Sequence, residues 1–124
     1  MSNRVTGLDH VDIVVGDPDA MADFLCRAGF SLHRRTEGGR GSVELRFPGS
    51  DIILELTPSA RPDGSRLALG LRHLALRCAD LDAAISDLRG VGLEFPEPPR
   101  RIAATGRRVA NAIDPDGRVL QFTE

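Results

Sequence analysis

The sequence predicts an α+β fold of two tandem βαβββ modules, with the helices packed on the apolar face of the strands. Three observations predict it. First, the chain repeats. Residues 7–30 align with 70–93 at an offset of 63, matching Gly7 to Gly70, Leu8 to Leu71, His10 to His73, Asp17 to Asp80, Asp19 to Asp82, Ala20 to Ala83, Leu25 to Leu88 and Gly29 to Gly92. Second, the local signals follow one order in both copies: an apolar strand, an Asp-x-Asp turn, a helix, a glycine and a new strand. Third, the ends of the copies also match. At an offset of 66, "DIILELT" (51–57) lies on "GRVLQFT" (117–123), with Leu54 on Leu120, Glu55 on Gln121 and Thr57 on Thr123. The three extra residues fit an insertion in the proline- and arginine-rich loop 96–108.

A chain of 124 residues suits a single domain. Module one spans about 5–57, a linker 58–69 and module two about 70–124. "LDHVDIVV" (8–15) is the first strand. Asp17 before Pro18 reads as an N-cap with proline at the first helical position. The helix that follows places Met21, Phe24, Leu25 and Ala28 on one stripe, and Gly29 ends it. Strands are predicted near 30–37, 41–47 and 51–57, separated by the "EGGRG" and "PGSD" turns. In module two the strand 71–78 comes first. Asp80 then caps a helix with Leu81, Ala84, Ile85 and Leu88 on its stripe, and Gly90 or Gly92 stops it. Further strands are predicted near 92–95, 100–105, 107–113 and 118–123, the last two joined by the turn "DPDG".

Side chains alternate faces along a strand. Val11, Ile13 and Val15 share one face of the first strand, while His10 and Asp12 share the other. Leu74, Leu76 and Cys78 oppose His73; Ile52, Leu54 and Leu56 oppose Glu55; Leu120 and Phe122 oppose Gln121. Each of these strands thus offers an apolar face for helix packing and turns one ligand-capable residue the other way. If the copies relate by a pseudo-twofold axis, His10, Glu55, His73 and Gln121 converge. Two imidazoles, a carboxylate and an amide oxygen suit a divalent first-row metal. Taken alone, a strand histidine is ordinarily solvated or hydrogen-bonded, and a glutamate on an open strand face ordinarily meets water. The repetition of the histidine is what favours a metal. His33 has no repeat partner, since Pro96 stands at the matching position, and is read as a surface or pocket-lining residue. Asp12 could orient His10. The arginines at 34, 35, 40 and 46 and at 100, 101, 107 and 108 are read mostly as a solvated rim, with one or two available to an anionic substrate.

Composition narrows the function. All sixteen basic residues are arginine, which excludes lysine Schiff-base chemistry, and Tyr and Trp are absent. A net charge of −2 gives no field to recruit nucleic acid. No apolar run suggests a membrane span and the N-terminus shows no signal pattern, so a cytoplasmic protein is expected. Cys26 and Cys78, far apart and outside any C-x-x-C motif, are read as two buried thiols.

At these residues the chain resembles the vicinal oxygen chelate superfamily, also called the glyoxalase, bleomycin-resistance and dioxygenase family. The resemblance runs from "GLDHVDIVV" to "DPDGRVLQFTE" and includes the paired βαβββ plan and the "DPDG" turn before the last strand. It implies a cupped, eight-stranded mixed sheet with helices on its outer face, a metal centre at His10, Glu55, His73 and Gln121, and a homodimer. The chain departs from the pattern in one respect: metal-dependent members commonly carry glutamate where this chain has Gln121. The leading expectation is a lyase or isomerase of glyoxalase I or epimerase type. It would use one divalent ion (Ni, Co, Zn, Mn or Fe) and act on a small hydroxycarbonyl, thiol-adduct or CoA-ester substrate. Proton transfer would run through a metal-bound enediolate, with Glu55 as base and Glu44, on the neighbouring strand, as a second base. The alternative is a non-catalytic protein that binds a drug or another small molecule, as bleomycin-resistance proteins do. The absence of Trp and Tyr argues against stacking a flat drug.

Overall fold

The computed structural model describes residues 4–36 and 41–124. It contains one eight-stranded mixed sheet and two helices, an α+β fold. In chain order the elements are β1 (Val5–Val15), α1 (Pro18–Arg27), β2 (Ser31–Arg35), β3 (Val43–Arg46), β4 (Ile53–Pro58), β5 (Gly70–Cys78), α2 (Leu81–Gly90), β6 (Arg100–Arg101), β7 (Arg108–Ile113) and β8 (Val119–Thr123). The strand order is β2-β3-β4-β1-β5-β8-β7-β6. Two compact units divide the chain inside β1 and β5: His10–Arg72, and Met1–Asp9 with His73–Glu124.

In the unit His10–Arg72, β1 runs parallel to β4, with His10 opposite Ile53 and Asp12 opposite Glu55. β4 is antiparallel to β3, with Glu44 opposite Glu55. β3 is antiparallel to β2. Helix α1 starts where expected, because the Asp17 carboxylate accepts from the Ala20 N–H at 3.1 Å and Pro18 holds the first turn. Its end needs a glycine: Gly29 sits at φ +110°, which lets the Phe30 N–H return to the Leu25 carbonyl at 3.1 Å. Ala22 is buried in a cluster with Val15, Val43, Leu45, Leu54 and Leu56, and Met21 and Leu25 pack against it. Phe24, expected on this stripe, is 59% exposed, because the buried stripe is centred on Ala22 instead. Cys26, expected to be buried, is also exposed. The "EGGRG" turn lies largely outside the described residues.

The other unit repeats the plan. β5 runs parallel to β8, with Ala75 opposite Gln121, and β8 is antiparallel to β7, with Asn111 opposite Gln121. Asp80 caps α2 through the Ala83 N–H at 3.1 Å. Gly92, at φ +101°, closes the helix and the Leu93 N–H reaches the Leu88 carbonyl at 3.0 Å. Leu81, Ala84 and Ile85 are buried with Cys78, Phe95, Ala110, Ala112 and Phe122. The strand expected at 92–95 does not form. Prolines 96, 98 and 99 follow it and carry no N–H for a ladder. Phe95 instead enters the core, its ring 5.6 Å from that of Phe122. The strand expected at 100–105 shortens to Arg100–Arg101, because Ile102 already begins a turn, accepting from the Gly106 N–H at 2.7 Å. The "DPDG" turn forms around the Asp114 carboxylate, which accepts from the Asp116 and Arg118 N–H groups at 2.9 and 2.8 Å.

Candidate metal centre

The register places the candidate ligands at matching points of the two units. In one unit Glu55 is flanked across the ladder by Asp12 on β1 and Glu44 on β3. In the other, Gln121 is flanked by Ala75 on β5 and Asn111 on β7. Residues 12 and 75 are related by the offset of 63, and residues 55 and 121 by the offset of 66, so the sequence repeat is also a repeat of register.

His10 and His73 are buried, 2% and 8% exposed, and Gln121 is 5% exposed. Among the described residues, His10, Glu55 and His73 form a group that could hold a metal ion: each offers one ligand atom, and these atoms all lie within 4.8 Å of one another. Donors bound to one ion at ~2.1 Å stand roughly 3 to 4.2 Å apart. Two buried imidazoles with a carboxylate are the donor chemistry of a borderline divalent cation, and the residues fit such an ion. The Gln121 Nε2 donates to Asn111 Oδ1 at 3.2 Å.

Glu44 is fully buried, and its Oε1 accepts from Arg34 Nη2 at 3.2 Å. Like charges directly opposite each other in a sheet repel. The guanidinium offsets that repulsion for Glu44 and Glu55. A bulge delivers it. The β2–β3 register shifts between Leu32 and Arg34, so Leu32 faces Leu45 while Arg34, rather than His33, faces Glu44. Sequence reading placed Arg34 on a solvated rim, and a bulge leaves no local signal that would have corrected it. His33 itself is exposed. Asp12 is fully buried, and it accepts from Thr57 Oγ1 at 2.6 Å and from Arg72 Nη1 at 3.3 Å, tying β1 to β4. Other rim arginines are engaged as well: Arg107 pairs with Asp9 at 3.0 Å, and Arg108 with Asp82 and Glu124, both at 2.8 Å. The Arg108 guanidinium holds the Asp82 carboxyl below its usual range.

A cavity of about 250 Å³ is lined by Pro96, Arg100, Val109, Ala110, Asn111, Ile113 and Val119, among others. Along β7, Ala110 and Ala112 pack into the core with α2, and Val109, Asn111 and Ile113 alternate with them, with Gln121 opposite Asn111.

With the paired strands, the two histidines and their register in place, comparison with known proteins identifies the class. The profile of the Glyoxalase/Bleomycin resistance protein/Dioxygenase superfamily matches residues 7–122, and the chain belongs to that superfamily. It is similar to YwkD of Bacillus subtilis (strain 168), an uncharacterized protein, at 32% identity over 94% of this chain and 95% of that one. Among solved structures it is similar to the methylmalonyl-CoA epimerase of Mycobacterium tuberculosis: TM-score 0.79, 27% identity, covering 100% of this chain and 91% of that one. It is also similar to a variant of Streptomyces coelicolor methylmalonyl-CoA epimerase in complex with 2-nitronate-propionyl-CoA: TM-score 0.73, 25% identity, covering 96% of each chain. Among the described residues, no helix is long and apolar enough to cross a membrane.

Proposed function

We propose that the chain is a divalent-metal-dependent isomerase, of epimerase or glyoxalase type, that moves a proton α to a carbonyl in a small CoA-ester or hydroxycarbonyl substrate. The observation that carries this reading is the grouping of His10, Glu55 and His73 within 4.8 Å. The likeness to methylmalonyl-CoA epimerases supports the epimerase arm and the CoA-ester class. His10, Glu55, His73 and Gln121 would hold the ion. When bound, the ion supplies Lewis-acid polarisation of the substrate's oxygens.

The residues divide the remaining work. Imidazoles bind a metal in their neutral form, so as ligands the buried His10 and His73 would add no charge to the site. Glu55 supplies one negative charge. Glu44 lies across the ladder from it, outside the metal-binding group, and carries a carboxylate that can take a proton from carbon and return it. Arg34 keeps that carboxylate paired between turnovers. The matching positions in the other unit hold Asn111 and Gln121, whose amides are no useful bases, so proton traffic belongs to Glu44, with Glu55 as the other carboxylate. The protein would work as one glyoxalase-like domain and as a homodimer. The exposed Leu69 and Leu71 support assembly, being 70% and 47% accessible in one chain.

The experiment is twofold. Metal is measured in protein purified without chelator and then supplied with each of Ni, Co, Zn, Mn and Fe. Solvent deuterium uptake at the α-carbon is then followed in 2-substituted acyl-CoA esters and α-hydroxycarbonyl compounds. About one ion per chain and metal-dependent uptake are expected. Failure to take up any of the five metals at saturation would sink the isomerase reading and leave small-molecule binding in its place.

A further inference from the structure

We infer that Asn111 is a positioning residue that fixes which end of the Gln121 amide faces the metal. The inference rests on the proposal that Gln121 is a ligand and goes beyond it to a residue outside the ligand set.

A glutamine side chain ends in two atoms of opposite character. Its oxygen is a ligand for a cation; its NH2 group is a pair of donors and repels one. An amide that rotates freely presents either end. In this chain the buried Gln121 lies directly across the β7–β8 ladder from Asn111, and its Nε2 donates to Asn111 Oδ1 at 3.2 Å. That bond takes up the NH2 end on β7 and leaves Oε1 as the end to be offered away from β7. Asn111 itself is only half-buried and lines the 250 Å³ cavity. Its flanking partners on the same face, Val109 and Ile113, are apolar, so a polar group at this point of β7 is a local exception. The corresponding position in the other unit holds Glu44 opposite Glu55. There the ligand is a carboxylate, whose two oxygens are equivalent and need no such orientation. An amide ligand needs an acceptor beside it, and Asn111 supplies one. Partners that orient metal ligands typically change metal affinity by about 10–100-fold when removed.

The test uses the full chain, stripped of metal, with Co(II) as the probe. The dissociation constant is measured by competition with a chelator, and the ion's visible absorption reports the donor set. Asn111→Val suits the strand and its apolar neighbours but cannot accept a hydrogen bond. It is expected to weaken Co(II) binding by about 10–100-fold and to shift the absorption bands. Asn111→Asp keeps an acceptor and should bind no more weakly than wild type. The sign reverses in a Gln121→Glu background. A carboxylate at 121 can accept from Asn111 once that amide turns, and Asn111→Asp exchanges this bond for a like charge, so Asn111→Asp should now weaken binding. Wild-type affinity and spectrum in Asn111→Val, alongside a clear loss in Gln121→Ala, would overturn the positioning role and keep Gln121 as ligand. No loss in Gln121→Ala would overturn the ligand reading itself. Should Asn111→Val fail to fold, the reversal between the two backgrounds decides: equal effects of Asn111→Asp in both would overturn the inference.

Discussion

Replacing Glu44 with glutamine removes one negative charge and leaves nearly every atom in place. Two magnitudes follow from its surroundings. The first is stability. Breaking a buried ion pair costs about 3–5 kcal/mol when a charge is stranded. Here the residue left behind is Arg34, whose side chain is 33% exposed and can rehydrate, and the new amide oxygen still accepts from it. Repulsion between residue 44 and Glu55 also disappears. Glu44→Gln should therefore cost only about 1 kcal/mol, near 4 °C in Tm for a chain of this length. Arg34→Met takes the guanidinium from a carboxylate that is fully buried and opposite another acid, and should cost about 3 kcal/mol. The second magnitude is catalytic. Loss of a general base lowers rate by ~10²–10⁴, or about 3–5 kcal/mol of barrier. Solvent deuterium exchange into an α-substituted acyl-CoA, with melting curves and metal content on the same samples, separates these effects. The expected pattern for Glu44→Gln is normal metal content, a small drop in Tm and an exchange rate down by at least a hundredfold. Exchange at the wild-type rate would refute Glu44 as the proton carrier and pass that role to Glu55. A Glu44→Gln variant less stable than Arg34→Met would refute the account of the pair.

Further outcomes are expected. His10→Ala and His73→Ala should each abolish stoichiometric metal binding, while His33→Ala should not, as elemental analysis of dialysed protein will show. Asp12→Ala leaves Thr57 buried without its carboxylate acceptor and removes the Arg72 pair, and should lower stability by about 2–4 kcal/mol in urea melts; Asp12→Asn, which keeps an acceptor for Thr57, should cost about half as much. Burial pushes the Cys78 thiol above its ordinary pKa and hides it from reagent, while Cys26 is exposed; one fast and one slow thiol should appear with an aromatic disulfide reagent, converging in denaturant. Light scattering at micromolar concentration should give a dimer mass, and a monomer would count against the assembly.

The sequence by itself determined the repeat and, through it, the elements. Helix starts at Asp17 and Asp80, helix ends at Gly29 and Gly92 and the turn at Asp114 depend on hydrogen bonds and backbone angles within a few residues, so local chemistry decides them. Strand parity likewise set His10, Glu55 and His73 on the polar faces of their strands, because alternation is a property of one strand. Where neighbours across the sheet decide, sequence reading stopped. The bulge that brings Arg34 onto Glu44 depends on how β2 is laid against β3. Asn111 acquires meaning only from the residue opposite it on β8. Phe24 and Phe95 show the same limit in the core: a helical stripe rotated toward Ala22 exposes one, and a proline-blocked ladder frees the other to pack on Phe122. A chain encodes its caps and its alternation in adjacent residues. Register, bulges and pairing across a ladder are set by contacts between segments tens of residues apart, and only the folded sheet fixes them.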